Sequence, residues 1–71
     1  MPIVTVHLLE GRDPETKKKL IKNVTHAVID TLDVPPESVR IILDEMPPQN
    51  YGIAGLPIKD YRLKKIKEPH P

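Results

Sequence analysis

Residues 1–9 read MPIVTVHLL and predict a β-strand, because apolar and β-branched residues fill the segment and no turn residue interrupts it. Proline is compatible with the first position of a strand. We expect the cell to remove Met1, since a small residue follows it, and this would leave Pro2 with a free secondary amine. A terminal amine titrates near neutral pH, in the range of an efficient general base. Taken alone, the Met-Pro pair favours a purely structural strand start over a catalytic amine.

A helix is predicted to start after this strand and to run to about Leu32. Three residues mark its start. Asp13 can accept hydrogen bonds from the first unpaired backbone N–H groups, and Pro14 lacks an N–H at a position where the helix has no acceptor for one. Glu15 places a negative charge near the positive end of the helix dipole. Apolar residues recur about every four positions and predict one buried face, formed by Leu20, Ile21, Val24, Ala27, Val28 and Leu32. Charged residues occupy the opposite side.

A second strand is predicted over residues 39–43, closed by residues 44–46. Residues 33–38 form the loop before it, because Pro35 and Pro36 cannot continue a helix. A strand, a helix and a second strand with short links predict a βαβ unit with parallel strands and a right-handed crossover. The fold class is therefore α+β.

A polar loop at residues 47–50 leads into a short hairpin predicted around the glycines of residues 51–55. Beyond Leu56 the apolar residues are spaced too irregularly to predict a helix or a strand. Residues 57–71 are a basic C-terminal tail, whose last four residues are expected to fray. We interpret residues 1–71 as one domain that includes this tail.

A chain of 71 residues buries only about 60% of the surface that its unfolded form exposes, so it is marginally stable alone. It has no cysteine, and its three histidines lack the spacing of metal ligands, so we expect no disulfide and no metal site. Parallel strands need cover on both faces, and one helix covers only one. We therefore expect other copies of the chain to supply the second cover.

The formal net charge of +1 does not indicate a nucleic-acid partner. Charged residues 10 and 12 end the first apolar run before it could become a signal peptide or a membrane span. We expect a cytoplasmic protein with no membrane partner.

The chain resembles the 4-oxalocrotonate tautomerase family over residues 2–55. The resemblance rests on the joint spacing of several short segments rather than on any one residue: Pro2 opening a strand, Leu9-Glu10-Gly11-Arg12 closing it, then Ser38-Val39-Arg40, Glu45-Met46 and Tyr51-Gly52. It implies a tautomerase-type fold, assembled as a homohexamer that is a trimer of dimers. It also implies active sites that draw on more than one subunit, and it implies no cofactor.

The resemblance assigns a role to five residues. Pro2 matches the family's catalytic base, while Arg12 and Arg40 match its two electrophilic arginines. Tyr51 stands where the family usually has a phenylalanine that shields the site, and Leu9 is a candidate for the pocket wall. Three of these positions also have a structural interpretation: a solvated turn for Arg12, hairpin packing for Tyr51 and an ordinary core position for Leu9. Arg40 is less ordinary, because a charge in an apolar strand needs a partner or access to solvent. We interpret His7 as a satisfied polar strand residue without a catalytic role.

The implied activity is enol–keto proton transfer on a small unsaturated 2-hydroxy or 2-oxo carboxylate such as 2-hydroxymuconate. No acidic residue lies between residues 47 and 59 to activate water, which favours proton transfer over hydration. The alternative hypothesis is a non-catalytic oligomeric interaction module with the same fold, whose basic tail binds an acidic partner.

Overall fold

The computed structural model describes residues 1–67 of the chain. Their elements, in order, are strand β1 (Ile3–Leu9), helix α1 (Pro14–Leu32), strand β2 (Arg40–Met46), strands β3 (Gly52–Ile53) and β4 (Leu56–Pro57), and helix α2 (Ile58–Lys67). Short 3₁₀ turns at Pro36–Ser38 and Pro48–Asn50 precede β2 and β3. The predicted fraying of residues 68–71 lies outside the described residues.

Strands β1 and β2 pair in parallel, with Ile3 opposite Arg40 and Leu9 opposite Met46. The predicted βαβ unit of an α+β fold is therefore confirmed. The prediction that β2 closes at residue 43 is wrong, because the strand continues to Met46. Residues 44–46, two of them acidic, were expected to end it, but the ladder runs through them, and the backbone N–H of Glu10 donates to the Met46 carbonyl at 2.9 Å.

The strand extension also has side-chain support. His7 lies opposite Asp44 across the ladder, and its Nδ1 is 2.9 Å from an Asp44 carboxylate oxygen. On the other face of β2, the Lys17 ammonium group of α1 donates to the Glu45 carboxylate at 3.0 Å. His7 is thus a satisfied polar strand residue, as expected.

Helix α1 begins and ends where the sequence predicts. The Asp13 carboxylate accepts a hydrogen bond of 2.9 Å from the backbone N–H of Thr16, and Pro14 takes the first helical position. At the other end Asp33 adopts the left-handed conformation, with φ of 54°, and its N–H donates to the Ile29 carbonyl. This bond satisfies one of the last carbonyls of the helix.

We expect the Asp13 cap to make the stability of the protein pH-dependent. The pKa of Asp13 is lowered from its ordinary 3.8 because Thr16 donates to the carboxylate from its side chain and its backbone N–H. A lowered folded-state pKa stabilises the fold above the ordinary value, and this stabilisation is lost as the pH falls through the folded-state pKa. Asparagine caps a helix about as well but does not titrate in this range.

The melting temperature of the wild type should therefore fall more steeply below about pH 4 than that of Asp13→Asn. Thermal unfolding of both proteins across this pH range, followed by circular dichroism, measures the difference. The other carboxylates are the same in both proteins, so their contribution to the pH dependence cancels in the comparison. Parallel losses in the two proteins would contradict the prediction.

Strands β3 and β4 form the predicted hairpin, with Gly52 opposite Pro57 and Ile53 opposite Leu56. The two turn residues between them both have positive φ, 53° at Ala54 and 84° at Gly55. Positive φ at both central residues characterises a type I′ turn, whose backbone twist matches that of the flanking strands.

The region after the hairpin differs from the sequence interpretation, which assigned no regular structure there. Helix α2 starts at Ile58, immediately after β4. Ile58 is only 5% exposed and Tyr61, three residues later, is half-buried, whereas Leu63 is 54% exposed. The apolar residues therefore lie on different sides of α2 and form no single stripe along it. Helix α2 is held in place by the contact of its first turn with the hairpin.

One copy of the chain has very little core. Among the residues whose burial is described, only Val39 and Ile58 are buried, at 8% and 5% exposure. Ile3 and Ile42, on the sheet face away from α1, are 62% and 50% exposed. The radius of gyration is 16.8 Å, compared with about 11 Å for a compact domain of this length. A single copy therefore leaves open the apolar surface that a stable domain would bury.

Candidate active site

An open cleft of about 610 Å³ lies where β1 and β2 end, and the hairpin and α2 form its other wall. Its lining residues come from all of these elements and are His7, Leu8, Leu9, Glu10, Arg12, Met46, Tyr51, Ile58 and Arg62. Three of the five residues singled out from the sequence, Leu9, Arg12 and Tyr51, thus lie around one cleft.

The turn that ends β1 determines the position of Arg12. Gly11 takes a φ of 126°, a conformation that favours glycine, and the chain reverses there. The Arg12 guanidinium group donates one hydrogen bond of 3.1 Å to the Leu9 carbonyl. A guanidinium group carries five N–H donors in a planar fork, so most of them stay available to a carboxylate in the cleft.

Sequence reasoning missed the cation that α2 brings to the cleft. Arg62 lies one helical turn after the buried Ile58, so both residues lie on the same side of α2. The basic character of this region was evident in the sequence, but its helical structure was not. Glu10, also missed, places a carboxylate among these cations. Because the cleft contains two arginines and one carboxylate, it favours an anionic ligand.

Pro2 and Arg40 lie at the opposite end of the sheet. The backbone N–H of Arg40 donates to the Pro2 carbonyl at 3.0 Å, and the Arg40 guanidinium group donates to the Glu37 carbonyl. Seven residues of β1, at about 3.3 Å each, separate this end from the cleft by roughly 23 Å. Within one chain the five predicted residues therefore form two groups, which no side-chain movement brings together.

A second open cleft, of about 480 Å³, lies between α1 and β1. Its lining is mostly apolar and contains Val4, Asn23, Val24, Ala27, Val28, Thr31 and Leu32. With no ionisable side chain in this lining, the cleft lacks the groups that would hold a small acid.

Residues 1–67 contain neither a cluster of metal ligands nor a membrane-spanning helix. No three His, Cys, Asp or Glu side chains in this range come together as metal ligands. Neither of the helices described there has the length and apolar character that crossing a membrane requires.

The structure thus combines a parallel βαβ unit with a cleft, at the ends of its strands, that contains two arginines. Residues 2–61 match the family model described as "Tautomerase enzyme". The chain belongs to the tautomerase family, and it is therefore an enzyme of the isomerase class. The resemblance read from the sequence is confirmed.

Individual relatives agree with this assignment. The chain is 49% identical over 55 residues to a 2-hydroxymuconate tautomerase of Stutzerimonas stutzeri, covering 78% of this chain and 87% of the relative. A 4-oxalocrotonate tautomerase isozyme structure from Methylibium petroleiphilum matches with a TM-score of 0.83 and 36% identity, covering 89% of this chain and 98% of that one. A heterohexamer 4-oxalocrotonate tautomerase from Chloroflexus aurantiacus matches with a TM-score of 0.80 and 32% identity, covering 84% and 97%.

Proposed function

We propose that the protein is a cofactor-independent tautomerase that ketonises a small enol acid such as 2-hydroxymuconate, with Pro2 as the general base after removal of Met1. The observation that supports the proposal is a cleft lined by Arg12, Tyr51 and Arg62 in a chain with 49% identity to a 2-hydroxymuconate tautomerase. Met1 is 80% exposed, which is compatible with its enzymatic removal.

The reaction needs one base and two cations. The neutral Pro2 nitrogen takes the proton from the 2-hydroxyl group, and the same nitrogen returns a proton to carbon 3 or carbon 5 of the conjugated chain. Negative charge develops on the 2-oxygen and the neighbouring carboxylate, where Arg40 stabilises the transition state more than the ground state. Arg12 holds the other carboxylate through its fork of donors. Leu9 and the Tyr51 ring form the pocket wall.

The proposed site requires more than one copy of the chain. Pro2 and Arg12 lie at opposite ends of β1, roughly 23 Å apart, so a site containing both takes them from different copies. We propose a homohexamer built as a trimer of dimers. The exposed Ile3 and Ile42, the small core of the single copy and the heterohexamer among its structural relatives support this assembly.

The location of Arg62 bears on the rival hypothesis of an interaction module. If α2 served only to bind an acidic partner, its cations would need no relation to the cleft, yet Arg62 lines it beside Arg12. We propose that Arg62 attracts the anionic substrate to the site.

The test is the rate of 2-hydroxymuconate ketonisation, followed by ultraviolet absorbance, with protein whose intact mass establishes that Met1 is absent. We expect a rate far above that of buffer, because proton transfer by a positioned base contributes about 10²- to 10⁴-fold. A preparation that retains Met1 is the control, since its Pro2 nitrogen is an amide. The buffer rate with Pro2 as the first residue would overturn the proposal.

A further inference from the structure

The position of Tyr51 is determined by backbone hydrogen bonds on both sides of the residue. Its N–H donates to the Pro48 carbonyl at 3.1 Å, and its carbonyl accepts from the N–H of Ile58 at 2.9 Å. The second bond extends the β3–β4 ladder by one pair, and Ile58, at 5% exposure, is the more deeply buried of the two buried core residues among residues 1–65. These two bonds therefore fix the backbone of Tyr51, and with it the point from which its side chain extends, before any ligand binds.

Tyr51 lines the cleft, and its phenol group has no hydrogen-bond partner among the side chains described for residues 1–65. Its side chain lines the cleft with Arg12 and Arg62, and the residue is 41% exposed. None of the side-chain hydrogen bonds formed among residues 1–65 involves this hydroxyl group. A phenol can donate to a carboxylate without adding a second charge that must lose its hydration.

We propose that the Tyr51 hydroxyl donates a hydrogen bond to the carboxylate held by Arg12, and that this bond makes the site selective for dicarboxylates over monocarboxylates. The inference rests on the proposed function, because it assigns the end of the substrate remote from the reacting oxygen to this cleft. A dicarboxylate satisfies both Arg12 and Tyr51. A monocarboxylate of the same length would place a methyl group there and leave both donors without the anion they face.

The size of the effect follows from the kind of bond. A hydrogen bond to a charged group is worth about a tenfold to hundredfold change in affinity, and partial exposure favours the lower end. We therefore expect a tenfold change. It should appear mainly in KM, because the bond forms in the ground state as well as in the transition state.

The substitution Tyr51→Phe removes the hydroxyl group and keeps the ring. Tyr61→Phe is the matched control, because it makes the same chemical change on α2 at a residue outside the cleft lining, where Lys65 lies 5.5 Å from the ring. Two ligands of equal chain length, muconate with two carboxylates and sorbate with one, measure selectivity by equilibrium titration without requiring turnover.

We expect Tyr51→Phe to weaken muconate binding about tenfold relative to sorbate, and to raise KM for 2-hydroxymuconate by a similar factor. Tyr61→Phe should leave the muconate-to-sorbate ratio unchanged. An unchanged ratio in Tyr51→Phe would overturn the inference, as would equal weakening of both ligands. If the wild type binds muconate selectively through Tyr51 but does not ketonise 2-hydroxymuconate, the proposed function fails and the inference about Tyr51 stands.

Discussion

Pro2→Ala is expected to lower kcat/KM for 2-hydroxymuconate about a hundredfold while the protein still assembles. Alanine leaves a primary amine that can still accept a proton, but it loses the ring that directs the nitrogen. Steady-state ultraviolet assays give the kinetic change. Size-exclusion chromatography shows whether assembly is retained, as expected for a residue at a strand end.

A blocked N terminus should have a larger effect than Pro2→Ala. Inserting one lysine between Met1 and Pro2 prevents removal of Met1 and turns the Pro2 nitrogen into an amide, which has no lone pair available as a base. The loss should then approach the full contribution of the base, about 10³-fold or more. Equal activity of the blocked protein and the wild type would exclude Pro2 as the base.

Arg12→Gln is expected to lower kcat/KM by about 10- to 100-fold, because a charge-assisted hydrogen bond to the substrate carboxylate is lost. Glutamine keeps a polar side chain but lacks the charge, and it also removes the Arg12 bond to the Leu9 carbonyl. Melting temperatures of the variant and the wild type provide the control for folding.

Mixing the two impaired variants tests whether the sites are shared between copies. If Pro2 and Arg12 of one site come from different chains, random assembly of equal amounts of Pro2→Ala and Arg12→Gln chains gives about a quarter of sites with both native residues. Coexpressed chains should then reach about a quarter of wild-type activity, well above either variant alone. If each site belongs to one chain, no site in the mixture has both residues, and activity would stay at the average of the two variants.

Much of the fold could be predicted because its signals are local. Asp13 and Pro14 indicated the start of α1, and apolar residues recurring about every four positions indicated its apolar face. The glycines of residues 51–55 indicated the hairpin. The end of β2 could not be predicted, since Asp44 and Glu45 look like a strand terminus until their partners His7 and Lys17 are known. Those partners lie 37 and 28 residues away in sequence, beyond the range of any local pattern.

The candidate site was predictable only in part. Resemblance to a family supplied Leu9, Arg12 and Tyr51, which the structure brings to one cleft. Arg62 could not be found in this way, because its place in the cleft depends on a helix whose apolar residues form no regular stripe. Its relation to the site follows from the burial of Ile58 against the hairpin.

The sequence by itself determined the order of the elements as far as the hairpin, the parallel βαβ unit and the family, since these depend on residue type and spacing along the chain. Only the tertiary structure decided which residues share a site. Two parallel strands put Pro2 and Arg40 at one end of the sheet, and Arg12 and Tyr51 at the other. The physical reason is the length of an extended strand, which separates Pro2 from the cleft by roughly 23 Å in any single copy.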